Sequence, residues 1–419
     1  MSGVLPLPAE GLWADAGLGG ARAAASALHD AVAADRLSHA WLLVGPDGVG
    51  QRELAVALAA HANCAVDDPA GRPCGGCDAC VRTRREVHPA LVTFEPDGAA
   101  HRVEDVRGSW TEAAMRTTPE ARRKVLRVVA ADRMNVAAQN AFLKLLEEPP
   151  ASVVWLLEAE DPGRLLATIL SRCRRADLPP WRADDVRTWL RATLGGDAAA
   201  GPDDAALIEA AVSAARGSGE WLRGLRRDLA GAGPREAREV LAAVRTLRQA
   251  HLDLVDVLAR EGPGAVVPTA KRLVAGAKAR REALAQRHAE ELAALEEAYG
   301  VEGNRGWPPG VKARIEKRFE RIARAEEQRT LRLALDDLAG HLRDLLAVAA
   351  GAGPDALLSP DTVDALRRDA GRLHRADVLA ALEGVATCRE ALERNGAAEL
   401  QLERLLLGLA TSLYVRSAA

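Results

Sequence analysis

Between about residues 40 and 180, short unbroken apolar runs alternate with stretches whose apolar residues recur every three or four positions. Trp41-Leu42-Leu43-Val44, Leu91-Val92-Thr93-Phe94, Val125 to Ala131 and Val153-Val154-Trp155-Leu156-Leu157 are strand-sized runs. Little polar alternation interrupts them, as expected of strands covered on both faces. Helical spacing fills the gaps at about 50–63, 103–116 and 135–147, and Pro149-Pro150 ends the last of these. Strands alternating with helices predict a parallel sheet with helices on both sides, and right-handed crossovers then restrict the topology.

Near Pro179-Pro180 the pattern changes. No strand-like run follows. Helical patterns at 183–194, 203–215 and 219–230, separated by Gly, Pro and Asp, predict a small three-helix bundle. After Gly231–Pro234 a longer helical region runs to residue 419, with breaks at 262–264, 300–310 and 351–354. The stretches 271–298 and 311–347 are charge-rich and amphipathic. In the second, Val311, Ile315, Phe319, Ile322, Leu331, Leu335, Leu338, Leu342 and Leu345 mostly recur at three- or four-residue spacing. The Gly- and Pro-bearing link 300–310 between them predicts an antiparallel helical hairpin. The expected domains are 1–179, with an insert at 64–80, then 180–234, then 235–419 with the hairpin at about 271–347.

Composition adds limits. A chain of 419 residues suggests two or three domains. The 59 acids nearly balance the 56 lysines and arginines, for a net charge of −3. That excludes a bulk polybasic nucleic-acid coat and an acidic disordered tail, but not a local basic face. The charge mixture of this hairpin reads first as a solvated face, with a nucleic-acid or partner surface as the second reading, to which the seven Lys/Arg against four Glu of 311–329 lend weight. No basic-then-apolar leader opens the chain and no run approaches the roughly 20 apolar residues of a membrane span, so the expectation is a cytoplasmic protein without membrane contact. Lysine is rare: Lys124, Lys144, Lys271, Lys278, Lys312 and Lys317 are all there are.

That scarcity bears on the turn after the first strand. Gly45-Pro46-Asp47-Gly48-Val49-Gly50-Gln51-Arg52 sits where a phosphate-binding loop belongs. A working loop needs glycines that let backbone N–H groups cradle phosphates, a lysine for the β/γ-phosphates, and a Ser or Thr for Mg²⁺. Gly45, Gly48 and Gly50 stand, but Gln51 holds the lysine position and Arg52 the hydroxyl position. No lysine precedes residue 124. The plainer reading is an ordinary glycine-rich strand-to-helix turn. The third strand run ends near one acid, Asp132, a relic of the carboxylates that organise Mg²⁺ or a cap for the helix starting near Asn135; the structural role is favoured.

Cys64, Cys74, Cys77 and Cys80 lie within 17 residues. In a reducing compartment such a cluster points to metal rather than disulfides, and four thiolates leave no open position, so a structural zinc is expected. An iron–sulfur cluster and free buried thiols are the other readings, with His61 and His88 as alternate ligands.

Leu145-Leu146-Glu147-Glu148-Pro149-Pro150 and Ile169-Leu170-Ser171-Arg172-Cys173, together with the degenerate loop and the cysteine insert, resemble the bacterial clamp-loader branch of AAA+ proteins. Within it they are most similar to the delta-prime family of DNA polymerase III. The likeness is strong over about 35–180, moderate over the following bundle, and beyond that rests on helical character; the charged hairpin is similar to that of actinobacterial members. The resemblance implies an α/β AAA+ domain, a helical lid at 180–234 and a helical collar for oligomerisation at 235–419. It implies that Ser171, Arg172 and Cys173 form an SRC motif whose Arg172 enters a neighbouring subunit's ATP site. Gly217-Ser218-Gly219-Glu220 matches the nucleotide-sensing stretch, with Glu220 where an arginine would stand. A subunit that lends an arginine without hydrolysing ATP follows, with tau/gamma, delta and primer–template DNA as partners in chromosomal replication. The alternatives are an autonomous AAA+ ATPase with an unusual loop and a zinc-stapled structural or nucleic-acid-binding protein outside replication.

Overall fold

The computed structural model describes residues 11–96, 100–196, 201, 203–217, 219–229, 232–300, 311–370, 374–394 and 396–417. The chain divides into two compact units, Met1–Asp185 and Val186–Ala419. No unit boundary falls near 234: the helices Asp204–Gly217 and Gly219–Asp228 share the second unit with everything after them.

The first unit is built on five parallel strands: β1 (Ala40–Val44), β2 (Leu91–Phe94), β3 (Lys124–Val128), β4 (Val153–Ala159) and β5 (Arg174–Asp177). Their spatial order is β2-β3-β4-β1-β5. The four expected strands are present. β3 stops at Val128, earlier than its apolar run, because Ala130 takes a left-handed φ of +50° and turns the chain. β5 was not expected. Its sequence, Arg-Arg-Ala-Asp, carries no apolar run because it pairs on one side only, with β1. An edge strand can keep charged side chains in water. Arg174 nevertheless lays its guanidinium 4.7 Å from the centre of the Trp41 ring.

Alternation along the inner strands separates two faces. Leu42, Leu126, Val128, Trp155 and Leu157 join Phe94, Trp110 and Phe142 in one buried cluster. Phe142 meets Trp155 edge-on at 4.8 Å and Phe94 stacks on Trp110 at 5.1 Å. Each buried side chain of this size contributes on the order of 2–3 kcal/mol. Aromatics are only 3% of the chain, so this cluster concentrates a scarce resource in one core. The intervening positions face the other way, and two are charged. Arg127 on β3 and Glu158 on β4 form a buried two-pronged pair, at 2.5 and 3.1 Å. Burial works against the Arg127 cation, but Glu158 and Glu86 outweigh it and raise its pKa.

The second unit is helical. Leu331, Leu335, Leu338, Leu342 and Leu345 of the helix Val311–Ala349 pack in one core with Val255, Leu258, Leu402, Leu406 and Leu409. The helices Val266–Gly300 and Val311–Ala349 run antiparallel, as the hairpin expectation required. Arg281 pairs with Glu327 at 3.1 Å, His288 stacks on Phe319 at 4.2 Å, and Lys312 reaches Glu296. Residues 301–310, the expected connection, lie outside the described residues. No helix among the described residues is long and apolar enough to cross a membrane.

Candidate functional site

In parallel sheets, ligands bind beyond the carboxyl ends of strands where the order reverses. Here that place lies beyond β1 and β4, and the turn between β1 and the helix Gln51–Asn63 occupies it. Gly48 and Gly50 have φ of +85° and +137°, conformations that glycine adopts without cost, so the loop backbone is formed. A side chain at Gly45 would put its Cβ 2.1 Å from the Leu178 carbonyl oxygen.

The loop's polar groups are used by the protein itself. Gln51 is buried and donates its Nε2 to the Pro46 carbonyl at 2.7 Å. Trp181 donates its indole N–H to the Val49 carbonyl at 3.1 Å. The Asp47 amide donates to the Glu160 carboxylate at 3.0 Å, so an internal anion takes one amide a phosphate would use. Arg52 turns away to Glu86 at 2.6 Å, with Glu53 at 3.8 Å. Glu86 raises the Arg52 pKa over the opposing effect of burial. Glu160 and Trp181 were missed in the sequence; only Glu160's place just after a strand run could have marked it.

Asp132 lies off the β3 tip and holds backbone amides rather than capping the next helix. β3 ends at Val128, its tip carries Val129 and Ala130, and Asp132 lies beyond them on the short turn Ala131–Arg133. Asp132 is buried and accepts the backbone N–H groups of Glu160, at 3.1 Å, and Asp161, at 2.9 Å. The helix Val136–Glu147 is capped instead by Asn135, which accepts from the Ala138 amide at 2.8 Å. Asp132 therefore joins the turn after β3 to the turn after β4, and indirectly to Asp47 through Glu160.

The four cysteines converge. Their sulfurs all lie within 4.8 Å of one another, with Cys64 and Cys77 at 4.0 Å. Tetrahedral zinc with Zn–S of about 2.3 Å needs sulfurs roughly 3.8 Å apart, so the set fits a metal ion. Cys64 ends the helix Gln51–Asn63 and Cys77 precedes the helix Asp78–Arg84. The Cys74 amide donates to the Cys64 sulfur and the Cys77 amide to the Cys74 sulfur, each at 3.4 Å. Amides of Cys77 and Gly76 hold the Cys74 thiol down to about 6, which favours a thiolate ligand, whereas burial pushes Cys80 up. His61 and His88 do not join the set. His61 accepts the Trp13 indole N–H at 3.2 Å, and His88 accepts the Ala90 amide at 3.1 Å.

Ser171, Arg172 and Cys173 follow the short helix Ala167–Leu170 and lead into β5. Cys173 packs against the aromatic core, and burial pushes its thiol up to about 12. Arg172 points outward. It donates to the Thr168 carbonyl at 3.1 Å and pairs with Glu147 at 2.8 Å, the two side chains 36% and 49% exposed. The motif is thus an anchor beside a presented cation. Glu147, the last residue of the helix Val136–Glu147, is a partner the sequence did not reveal.

In the second unit Glu220 gives both carboxylate oxygens to Arg332, at 2.7 and 3.0 Å. Burial opposes its charge, but Arg332, Arg223 and Arg329 prevail and keep the carboxyl below its usual range. Ser218 of the same stretch lies outside the described residues.

A five-stranded parallel sheet with β1 between β4 and β5, and a phosphate-loop turn after β1, defines an AAA+ domain followed by helices. Residues 20–182 match the family described as DNA polymerase III, delta subunit. The segment is 40% identical over 159 residues to DNA polymerase III subunit delta' of Pseudomonas aeruginosa, covering 38% of this chain and 48% of that one. It is 35% identical over 153 residues to the Bacillus subtilis subunit delta', covering 36% and 46%. It is also 34% identical over 164 residues to subunit gamma/tau of Mycobacterium tuberculosis, covering 39% and 28%. The chain thus spans about half the length, or less, of the curated relatives it matches. Identity barely separates delta' from gamma/tau, so the residues of the loop must do so.

Proposed function

We propose that the chain is a delta-prime-type subunit of a bacterial DNA polymerase III clamp loader that hydrolyses no ATP and lends Arg172 to a neighbour's ATP site. One observation carries this reading: Gln51, at the position of the phosphate-binding lysine, is buried and turned onto the Pro46 carbonyl, and Glu160 takes the Asp47 amide, while Arg172 is presented outward. A loop with no lysine, no Mg²⁺-binding hydroxyl and no carboxylate at the β3 tip lacks the charges that phosphoryl transfer needs. An arginine entering from a neighbouring subunit stabilises charge on the transferring phosphoryl group, worth roughly 10³–10⁵ in rate.

In this proposal the neighbour is a tau/gamma motor subunit, delta completes the assembly, and the assembled complex holds primer–template DNA in the cytoplasm during chromosomal replication. Residues 180–234 act as the lid and 235–419 as the oligomerising collar. The four cysteines hold a structural zinc that ties the end of the helix Gln51–Asn63 to the 74–80 loop. The decisive experiment reconstitutes the loader with tau/gamma and delta and compares wild type with Arg172→Ala. The variant should assemble yet lose ATP-driven clamp loading. Robust ATP hydrolysis by the chain alone, measured with Mg²⁺, would instead favour an autonomous ATPase and overturn the reading.

A further inference from the structure

We propose that the outer face of the helix Val266–Gly300, between Lys271 and Lys278, is a docking surface for the phosphate backbone of duplex DNA. From Gly262 to Arg281 the sequence carries five cations, Lys271, Arg272, Lys278, Arg280 and Arg281, and no acid; the first is Glu282. Arg280 and Arg281 are drawn across the hairpin to Glu326 at 3.6 Å and Glu327 at 3.1 Å. Lys271, Arg272 and Lys278 are exposed. Among the described residues neither lysine has a carboxylate partner, and Arg272 reaches the Thr269 hydroxyl at 3.1 Å.

The acids of the facing helix are committed elsewhere. Asp336 pairs with Arg389, Asp337 lies 2.6 Å from His251, and Asp344 accepts the amides of Leu358 and Ser359. These three acids therefore do not neutralise Lys271, Arg272 or Lys278.

Its shape favours a long polyanion. Lys271 and Lys278 are two helical turns apart, about 10 Å along the axis. Exposed Ala275, Gly276 and Ala279 put no bulk between them, and a Cβ added at Gly276 would meet nothing within 4 Å. Duplex DNA carries a negative charge every 1.7 Å or so of its axis, so three cations find phosphates in any register. A protein partner would want a large apolar anchor at the centre of the patch, and the exposed residues from 275 to 283 are Ala, Gly, Lys, Arg and Glu. Four of the six lysines, 271, 278, 312 and 317, lie on the two hairpin helices, and lysine is a compact charge suited to contacts that ignore sequence.

The inference takes its ligand from the clamp-loader reading and adds the surface that contacts it. The test is fluorescence anisotropy with a labelled primer–template duplex and the reconstituted loader carrying Gly276→Glu or Lys271→Glu/Lys278→Glu. Binding should weaken about tenfold or more at 0.1 M salt with either variant, and with Lys271→Glu/Lys278→Glu the log–log salt slope should become shallower by about two. Loader assembly and DNA-independent ATPase should not change. Glutamate is a better helix former than glycine, so weaker binding by Gly276→Glu cannot be assigned to an unfolded helix. Unchanged affinity and slope would overturn the inference, as would loss of a protein subunit from the complex, which would give the face to an acidic protein. If the wild-type chain fails to assemble with tau/gamma and delta, the clamp-loader reading fails on its own. The same titration of the chain alone then decides the surface.

Discussion

The turn after β1 and the turn before β5 belong to neighbouring strands, yet they use their polar groups in opposite ways. After β1, glycines shape a turn whose Asp47 amide is taken by Glu160 and whose Pro46 and Val49 carbonyls accept from Gln51 and Trp181. Before β5, Cys173 is half-buried against the aromatic core and Arg172 is left at the surface on an exposed carboxylate. A presented arginine can exchange one anion for another. The proposed function rests on this difference in where the two turns hold their side chains.

The largest expected effect tests the open turn. Arg172→Ala should lower the ATPase of the reconstituted loader, at the site the arginine enters, by roughly 10³-fold or more. Steady-state hydrolysis with clamp and primed DNA measures it, and full activity would remove the functional half of the contrast. The next effect is metal removal. A closed four-thiolate site contributes on the order of 10 kcal/mol to local folding. Chelation should release about one zinc per chain by elemental analysis and expose residues 64–84 to proteolysis; two irons with visible absorbance would assign the cluster to iron–sulfur chemistry instead.

The closed turn is tested by trying to reopen it. Gln51→Lys with Arg52→Thr restores the two residue types that the loop lacks. It should still give no ATPase, because Val129 and Ala130 stand at the β3 tip and Glu160 still accepts the Asp47 amide. Measurable turnover would show that the loop is only two residues from function. Nucleotide binding with Mg²⁺, followed by calorimetry, checks the same point.

Much of this contrast was legible in the sequence. The loop glycines, the cysteine spacing and the SRC triplet are local patterns; the glycines turn the chain after β1 and the four sulfurs converge. What was not legible is long-range or depends on an exception. β5 has no apolar run because only one edge of it is covered. The left-handed turn at Ala130, which ends β3 before Asp132, cannot be read from an alanine. Glu147, Glu160 and Trp181 act on partners 25 to 132 residues away, which no spacing rule connects.

A smaller effect concerns the hairpin. Burial, then Arg227, Arg287 and Arg318, lower the His288 pKa from 6.5 to about 4. Its unfolded form binds protons more readily below pH 6.5, so the neutral stack on Phe319 is fully stabilising above that pH. The contribution is lost as pH falls from about 6.5 to 4. The shift corresponds to roughly 3 kcal/mol in full, and partial exposure reduces this to about 1–2 kcal/mol. Urea unfolding of the chain at pH 7 and pH 4.5 should show this loss beyond that of His288→Gln; identical pH dependence would mean that the ring stays solvated.

The smallest effect bears on the presented arginine itself. An exposed pair such as Arg172 with Glu147 is worth about 0–1 kcal/mol, so it can orient the guanidinium without trapping it. A phosphate bearing more charge than one carboxylate displaces Glu147 at little cost. Glu147→Ala should therefore leave stability within about 0.5 kcal/mol and change loader ATPase by no more than about fivefold, in either direction. Its signature should be a weaker salt dependence of the arginine-dependent step, because competition with an internal anion is gone. A loss as large as that of Arg172→Ala would show that Glu147 acts on the reaction directly, and the turn before β5 would then be a built site rather than a presented cation.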